Sequence, residues 1–158
     1  MSDERSGLER PGNRTALSRG VGLSSDPLCL RILSRTHAHV RDLSKSAVLA
    51  ASRRLLKPIY GLVRELPEFE RYGLAAQLRR AAISITANIA EGLGRGTEGD
   101  FERHLRIASG SAAEVEALLD AAVVLDFVSE EQTHQIREDL RVLRARLYRL
   151  TTRVSAAR

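Results

Sequence analysis

Two long stretches of this chain repeat apolar or small residues at alternating intervals of four and three. The first repeat comprises Phe101, Leu105, Ala108, Ala112, Val115, Leu119 and Ala122. The second comprises Ile136, Leu140, Leu143, Leu147, Leu150 and Val154. Such spacing is a heptad seam, because side chains three and four residues apart share one face of an α-helix. It predicts two long amphipathic helices.

The composition also favours helices. Aromatic residues make up 4% of the 158 residues and tryptophan is absent, so leucine, isoleucine, valine and alanine must fill the core. Such a core suits closely packed helices better than a β-sandwich, whose strands prefer aromatic and β-branched residues. A hydrophobic fraction of 43% with 28% charged residues argues against a chain that is disordered throughout. The length fits one domain.

An earlier helix is predicted over residues 42–65. Its apolar positions, on or near one face, are Leu43, Ala47, Ala50, Leu55, Ile59 and Leu62. Pro58 lies inside this helix. Because proline lacks an N–H and crowds the carbonyl of Arg54, the sequence predicts a kink or break near Lys57.

Turn and capping residues delimit the other helices. A second helix is predicted over residues 69–91, followed by a glycine-rich stretch, 92–96, that can supply left-handed C-cap residues. Thr97 with Asp100 resembles a capping box, and Ser129 with Gln132 forms one. Four amphipathic helices joined by short loops predict an all-α protein, an antiparallel up-down four-helix bundle.

The first part of the chain differs from the rest. Residues 1–36 are rich in glycine, proline and serine without sustained periodicity, which predicts a disordered extension before a bundle domain over 37–158. The N-terminus lacks the apolar stretch of a secretory signal, and apolar runs reach about five residues, far below the roughly 20 of a membrane helix. The single cysteine, Cys29, is typical of a reducing compartment. We therefore expect a cytoplasmic protein that does not contact membranes.

A polar stripe follows the predicted second helix beside its apolar face. It comprises Gln77, Arg80, Ser84, Asn88 and Glu91, which lie on one side of the helix. The third helix carries His104, Ser111 and Glu114 at matching intervals. In a hairpin about residues 95–97, facing residues have numbers that sum to about 195. This register pairs Glu91 with His104, Ser84 with Ser111, and Arg80 with Glu114.

We interpret the stripe as a structural polar network that fixes register, since buried polar groups must be paired. Removing one partner of a buried Arg80–Glu114 pair would cost about 3–5 kcal/mol. Small residues are expected to let the two backbones approach: Ala81, Ala87, Ala108, Gly110 and Ala112. The alternative interpretation of the stripe is an acid–base or metal site.

Other catalytic patterns are incomplete. The stretch 92–96 follows a helix and lacks the Lys-Ser/Thr ending of a phosphate loop. Glu131 and His134 have the Glu-x-x-His spacing of di-iron bundles without the second copy and further carboxylates. Ser84, Ser111 and His104 lack an accompanying nucleophile turn or oxyanion-hole pattern. We expect no catalytic residue, metal or cofactor, with a metal-dependent enzyme kept as an alternative.

The charge distribution predicts a basic face. Of the 25 basic residues 23 are arginines, and the net charge is +5. Residues 97–128 carry two arginines against seven acidic residues, whereas basic residues are in excess over 37–67 and 129–158. Helices one and four are neighbours in an up-down bundle, so their cations should form one surface. These cations are Arg53, Arg54, Lys57, Arg64, Arg137, Arg141 and Arg144.

Within this set, Arg137, Arg141 and Arg144 follow spacings of four and three and are predicted to form one exposed ridge. Because aromatic residues are scarce, we expect binding to RNA or DNA through phosphates rather than through base readout. The alternative is a solvated, arginine-rich surface without a nucleic-acid partner.

The second and third predicted helices also carry a family resemblance. Its residues are Gln77-Leu78-Arg79-Arg80-Ala81-Ala82-Ile83-Ser84-Ile85, Asn88-Ile89-Ala90-Glu91-Gly92, Gly94-Arg95, Phe101, Leu105, Ile107-Ala108, Gly110-Ser111 and Glu114. Over about residues 42–154 the chain resembles the bacterial four-helix-bundle family of 23S rRNA-intervening-sequence proteins. That family is similar to the accessory variability determinant of diversity-generating retroelements.

The resemblance implies a homopentameric barrel of bundles without known catalysis. In the retroelement branch it also implies a basic surface that binds nucleic acid and a reverse transcriptase. The sequence therefore predicts a non-enzymatic, oligomeric accessory or adaptor protein that binds RNA or DNA, with a reverse transcriptase as a further partner in that branch. The alternative is a structural or protein-interaction oligomer whose basic surface is incidental.

Overall fold

The computed structural model describes residues 46–157, which form four α-helices and one short 3-10 helix, with no strand among them. The α-helices are α1 (Ala47–Val63), α2 (Leu74–Gly94), α3 (Glu98–Val124) and α4 (Glu130–Ala156). Each α-helix packs against the next, and α1 also packs against α4. The predicted helical bundle is confirmed over this part of the chain. The predicted extension over residues 1–36 lies outside the described residues.

The first helix is continuous through Pro58, so of the kink or break predicted near Lys57 the break does not occur. Proline inside a helix costs about 3 kcal/mol, and the apolar residues buried on both sides of Pro58 offset this cost. The buried residues are Val48, Leu49, Ser52, Leu55, Ile59, Leu62 and Val63. Ala47 and Ala50, predicted on the apolar face, are exposed because Val48 and Leu49 occupy that face instead.

The second helix begins five residues later than predicted, at Leu74 instead of residue 69. A 3-10 helix, Glu68–Arg71, precedes it, and the Glu70 carboxylate caps α2 by accepting the Leu74 N–H at 2.7 Å. Phe69 in this connection packs edge-on against Phe127, with ring centroids 5.7 Å apart. The contact ties the α1–α2 connection to the loop that precedes α4.

The glycine-rich end of α2 does not use a left-handed C-cap, so that prediction was wrong. No glycine among residues 46–157 has a positive φ. The chain instead leaves α2 at Arg95 in an extended conformation, with φ −78° and ψ 141°. Gly92 lies inside the helix rather than beyond its end, and it is buried.

Side-chain caps fix the starts of α3 and α4. The Thr97 hydroxyl accepts the Asp100 N–H at 3.1 Å and donates to the Asp100 carboxylate at 2.7 Å. The predicted capping box of α4 is confirmed, since the Ser129 hydroxyl accepts the Gln132 N–H and the Gln132 amide oxygen accepts the Ser129 N–H. In the loop between the helices, Asp126 adopts a left-handed conformation with φ 57°.

The two heptad seams form the centre of the core. Every member of the α3 seam is buried, from Phe101 to Ala122, and so is the α4 seam except for the partly buried Leu150. On the facing side of α2 the buried residues are Ala75, Leu78, Ala81, Ala82, Ile85, Ile89, Gly92 and Leu93. None of the helices described here is long and apolar enough to cross a membrane.

Candidate nucleic-acid interface and polar ladder

The polar residues of α2 and α3 meet between the two helices as a polar ladder, defined as the eight residues of the predicted network. Ser84 Oγ and Ser111 Oγ are 2.8 Å apart, and an Arg80 guanidinium nitrogen lies 3.1 Å from a Glu114 oxygen. His104 Nε2 lies 3.7 Å from a Glu91 oxygen. These are the three pairs of the predicted hairpin register. The side chain of Gln77 is exposed and bonds to none of the others.

Asn88 connects the middle of the ladder to His104. Its amide nitrogen donates to the Ser84 carbonyl at 2.8 Å and to the Ser84 hydroxyl at 3.1 Å, which fixes the orientation of the amide. The Asn88 amide oxygen then faces His104 Nδ1 at 3.3 Å. This geometry requires a proton on Nδ1, because two acceptors would otherwise face each other.

At the end of the ladder next to the α2–α3 connection, Glu91 is held as a carboxylate. A hydrogen bond from Arg95 lowers the pKa of Glu91 against the opposing effect of desolvation, and a protonated His104 and the charges of Arg95 and Arg103 lower it further. Glu91 and Arg95 are themselves exposed. An exposed ion pair therefore links Glu91 in the last turn of α2 to Arg95, the residue at which the chain leaves this helix.

Burial along the ladder is graded, which corrects the prediction of a buried charged pair. Ser111 is buried and the His104 side chain is 13% exposed, whereas the side chains of Arg80 and Glu114 are 71% and 41% exposed. The neutral groups therefore lie inside and the charged groups at the rim. No group of three potential metal ligands of the His, Cys, Asp or Glu type exists among residues 46–157.

The close approach of α2 and α3 depends on Gly92 and not on all of the small residues predicted for this role. Ala81, Ala108 and Ala112 are buried as expected, whereas Ala87 and Gly110 are exposed and lie away from the contact. A Cβ atom at Gly92 would lie 2.8 Å from the His104 Cβ and 3.0 Å from a Phe101 ring carbon. The sequence signal for this role was a glycine opposite a large aromatic residue across the hairpin.

The predicted arginine ridge of α4 is neutralised by acidic residues. Arg137 pairs with Asp120, Arg144 pairs with Glu116, and Arg141 lies 2.9 Å from Glu138. The Arg137 side chain is 26% exposed and donates inward to the Thr133 hydroxyl at 3.0 Å.

The hydrogen bond from Arg141 lowers the pKa of Glu138, and the same bond raises the pKa of Arg141. Arg141 and Arg144 are exposed as predicted, whereas Arg137 is only partly exposed. All three are ion-paired, Arg137 and Arg144 with carboxylates of α3 and Arg141 with a carboxylate of α4 itself.

A second row of arginines lies on the other edge of α4. It was not among the residues predicted from the sequence. Arg146, Arg149 and Arg153 are exposed and line an open groove of about 390 Å³ together with Ala47 and Val48 of α1. None of the three has an acidic partner within residues 46–157. The available signal was the absence of any acidic residue after Asp139, which leaves these arginines without carboxylates at helical spacing.

The cations of α1 are exposed as predicted. Arg53, Arg54, Lys57 and Arg64 all reach solvent, and none pairs with a carboxylate of the described residues. Because α1 and α4 pack against each other, we define the basic surface by α1 and the second arginine row. Its residues are Arg53, Arg54, Lys57, Arg64, Arg146, Arg149 and Arg153.

The helices and the polar ladder define an all-helical protein of the four-helix class. A family model described as 23S rRNA-intervening sequence protein matches residues 44–149, and the chain belongs to this family. It is also similar to the crystal structure of a protein of unknown function from the S23 ribosomal protein family of Bacteroides thetaiotaomicron. The identity is 26%, the match covers 66% of this chain and 98% of that chain, and the TM-score is 0.62. No curated protein matches the sequence significantly.

Proposed function

We propose that this protein is a non-enzymatic nucleic-acid-binding accessory protein that works as an oligomer and holds phosphates on its basic surface. The observation that carries the proposal is the second arginine row. Arg146, Arg149 and Arg153 are exposed and lack an acidic partner in the part of the chain that is described, whereas Arg141 and Arg144 on the other edge are neutralised.

The difference between the two rows matters because binding to nucleic acid is driven by the exchange of counterions. An arginine beside a carboxylate adds little net positive charge to its surface, because the carboxylate contributes the opposite charge. An unpaired, exposed arginine displaces a counterion from each phosphate that it neutralises. The basic surface should therefore bind backbone phosphates, and the α3-facing edge of α4 should contribute little.

Binding should weaken steeply with salt. Each neutralised phosphate adds about −0.9 to the slope of log affinity against log salt for duplex DNA and about −0.7 for single strands. We expect Arg146→Gln, Arg149→Gln and Arg153→Gln together to reduce the affinity at least tenfold and to flatten the slope. The measurement is fluorescence anisotropy with labelled RNA and DNA across a salt series.

A matched triple variant controls for the loss of charge. Arg80→Gln, Arg95→Gln and Arg137→Gln remove the same number of cations, but each of these arginines is ion-paired in the parent protein. We expect this variant to retain most of the affinity. Equal losses in the two triple variants, or no binding by the parent protein at low salt, would contradict the proposal.

The oligomer in this proposal is a pentameric barrel of antiparallel up-down bundles. Exposed apolar and small residues support self-association through the outer side of α2 and α3: Ile83, Ala87, Ile107 and Gly110. A ring of copies would repeat the basic surface, and weak phosphate contacts would then add up through multivalency. A reverse transcriptase is a further proposed partner, to be tested by co-purification with the oligomer.

The second candidate function is a structural or protein-interaction oligomer. The same exposed apolar residues of α2 and α3 favour it, and it does not require the basic surface. The salt-dependent binding experiment separates the two functions, because a pure scaffold would bind neither RNA nor DNA at low salt.

A further inference from the structure

Tyr148 is an exposed aromatic side chain on α4 for which the fold gives no structural role. Its relative exposure is 73%, and its ring makes no aromatic or cation–π contact within residues 46–157. Leaving an aromatic ring in water forgoes the free energy that its burial would provide. An aromatic side chain kept in this position is suited to contact a partner.

The surroundings of Tyr148 combine an aromatic face with hydroxyl groups. Two adjoining open grooves between α3 and α4, of about 300 and 320 Å³, share Tyr148 and Ser109 as lining residues. Thr151 lines one of them, although its hydroxyl is bonded to the Leu147 carbonyl at 2.9 Å. Ser109 has no hydrogen bond among the described residues and can donate or accept.

The charges around Tyr148 are balanced. Arg106, Arg141 and Arg144 line the same grooves, and each is paired with a carboxylate, those of Glu102, Glu138 and Glu116 respectively. The grooves therefore offer a planar aromatic face and polar groups without excess positive charge. This chemistry fits an uncharged, flat, polar ring better than it fits a phosphate.

We propose that Tyr148 is a stacking site for unpaired bases and that the protein prefers single-stranded RNA or DNA. This inference rests on the proposed function, because Arg149 and Arg153, close to Tyr148 along α4, supply the phosphate contacts. A strand that crosses α4 would lay its backbone on the arginine row and one base on Tyr148.

Only an unpaired base can make this contact. In a duplex the flat faces of the bases are covered by their neighbours, whereas a single strand can present a base to an aromatic side chain. Stacking of this kind tolerates any base, since every base has an aromatic face. The site should therefore distinguish single-stranded from double-stranded nucleic acid and show no preference for a base sequence.

The test measures binding of three probes of equal length: a thymidine homopolymer, an abasic strand with the same backbone, and a duplex. We expect the parent protein to bind the homopolymer about tenfold more tightly than the abasic strand. Tyr148→Ala should remove this difference and leave the affinity for the abasic strand and the duplex unchanged. Tyr148→Phe keeps the aromatic face and should restore tight binding to the homopolymer.

Tyr72→Ala is the matched control, because Tyr72 is also highly exposed, at 86%. It lies in the α1–α2 connection, far along the chain from the second arginine row. It should leave all three affinities unchanged. Uridine homopolymer in place of thymidine tests whether RNA behaves in the same way.

Loss of binding to all probes in the Tyr148→Ala variant, or a change in its oligomeric state, would overturn the stacking site. So would equal affinity of the parent for the homopolymer and the abasic strand, although the proposed function would stand if both bind. If the parent binds none of the probes, the proposed function fails and the stacking site fails with it.

Discussion

At the scale of single residues, Gly92 decides how closely α2 and α3 approach. A side chain at this position would meet the Cβ of His104 and the ring of Phe101, neither of which is the flexible end of a side chain. Phe101 belongs to the core seam and His104 belongs to the polar ladder, so both are held from their other sides. The absence of a side chain at Gly92 thus serves the apolar core and the polar ladder together.

We expect Gly92→Ala to destabilise the protein by about 1–3 kcal/mol, because the added methyl group overpacks a contact that cannot relax. Gly61→Ala is the matched substitution within α1, where a Cβ atom would meet nothing within 4 Å. There the gain in helix propensity should stabilise the protein by about 0.5–1 kcal/mol. Urea unfolding followed by circular dichroism measures both, and effects of the same sign would refute this account of Gly92.

At the scale of elements, the α2–α3 pair is specified by neutral polar groups in its interior and by charges at its rim. The Arg80–Glu114 ion pair is exposed, so solvent screens it and the larger value predicted for a buried pair does not apply. Asn88 lies deeper and satisfies Ser84 on its own helix and His104 on the opposite one. We therefore expect Asn88 to contribute more to the free energy of unfolding than the Arg80–Glu114 ion pair does.

Arg80→Ala should change the free energy of unfolding by less than about 1 kcal/mol, as is usual for an exposed ion pair. Asn88→Leu should cost about 1–3 kcal/mol, because it removes the amide that donates to Ser84 and leaves His104 Nδ1 without its hydrogen-bond partner. Thermal and urea unfolding of the two variants are compared under the same conditions. A larger loss for Arg80→Ala than for Asn88→Leu would show that the rim and not the interior holds the helices together.

At the scale of the whole molecule, the ion-paired arginines of α4 and its arginines without such partners among residues 46–157 lie on different edges of the helix. The carboxylates of α3 neutralise one edge of α4, whereas α1 and the other edge of α4 carry cations without such partners among residues 46–157. The exposed apolar residues Ile83 and Ile107 belong to α2 and α3, whereas the cations of the basic surface belong to α1 and α4. The proposed self-association and the proposed phosphate binding therefore use different helices.

We expect static light scattering to give about five copies per particle, as the family resemblance implies. Ile83→Glu should lower this number, because it places a charge in the expected contact. Val124→Glu introduces the same charge at a side chain that is 80% exposed near the end of α3, and it should leave the particle mass unchanged. A stable monomer of the parent protein at micromolar concentration, with unchanged mass in both variants, would refute the oligomer.

The sequence by itself determined the features that depend on local spacing. The heptad seams of α3 and α4, the Ser129 capping box and the pairing register of the polar stripe all follow from intervals of three and four, because an α-helix repeats every 3.6 residues. The regular spacing within each helix fixes which side chains share a face without reference to any other helix. The same periodicity, with the family resemblance, was sufficient to predict an all-helical protein.

Only the tertiary structure decided what each face meets. Arg144 and Arg146 lie on the same helix and look equivalent in the sequence, yet one pairs with Glu116 of α3 and the other lines a groove beside α1. Helical periodicity did not reveal the role of Gly92 or the degree of burial of Arg80, because both depend on the distance between two helices. The helix through Pro58 shows the same limit, since packing against the neighbouring helices outweighs a local preference for a break.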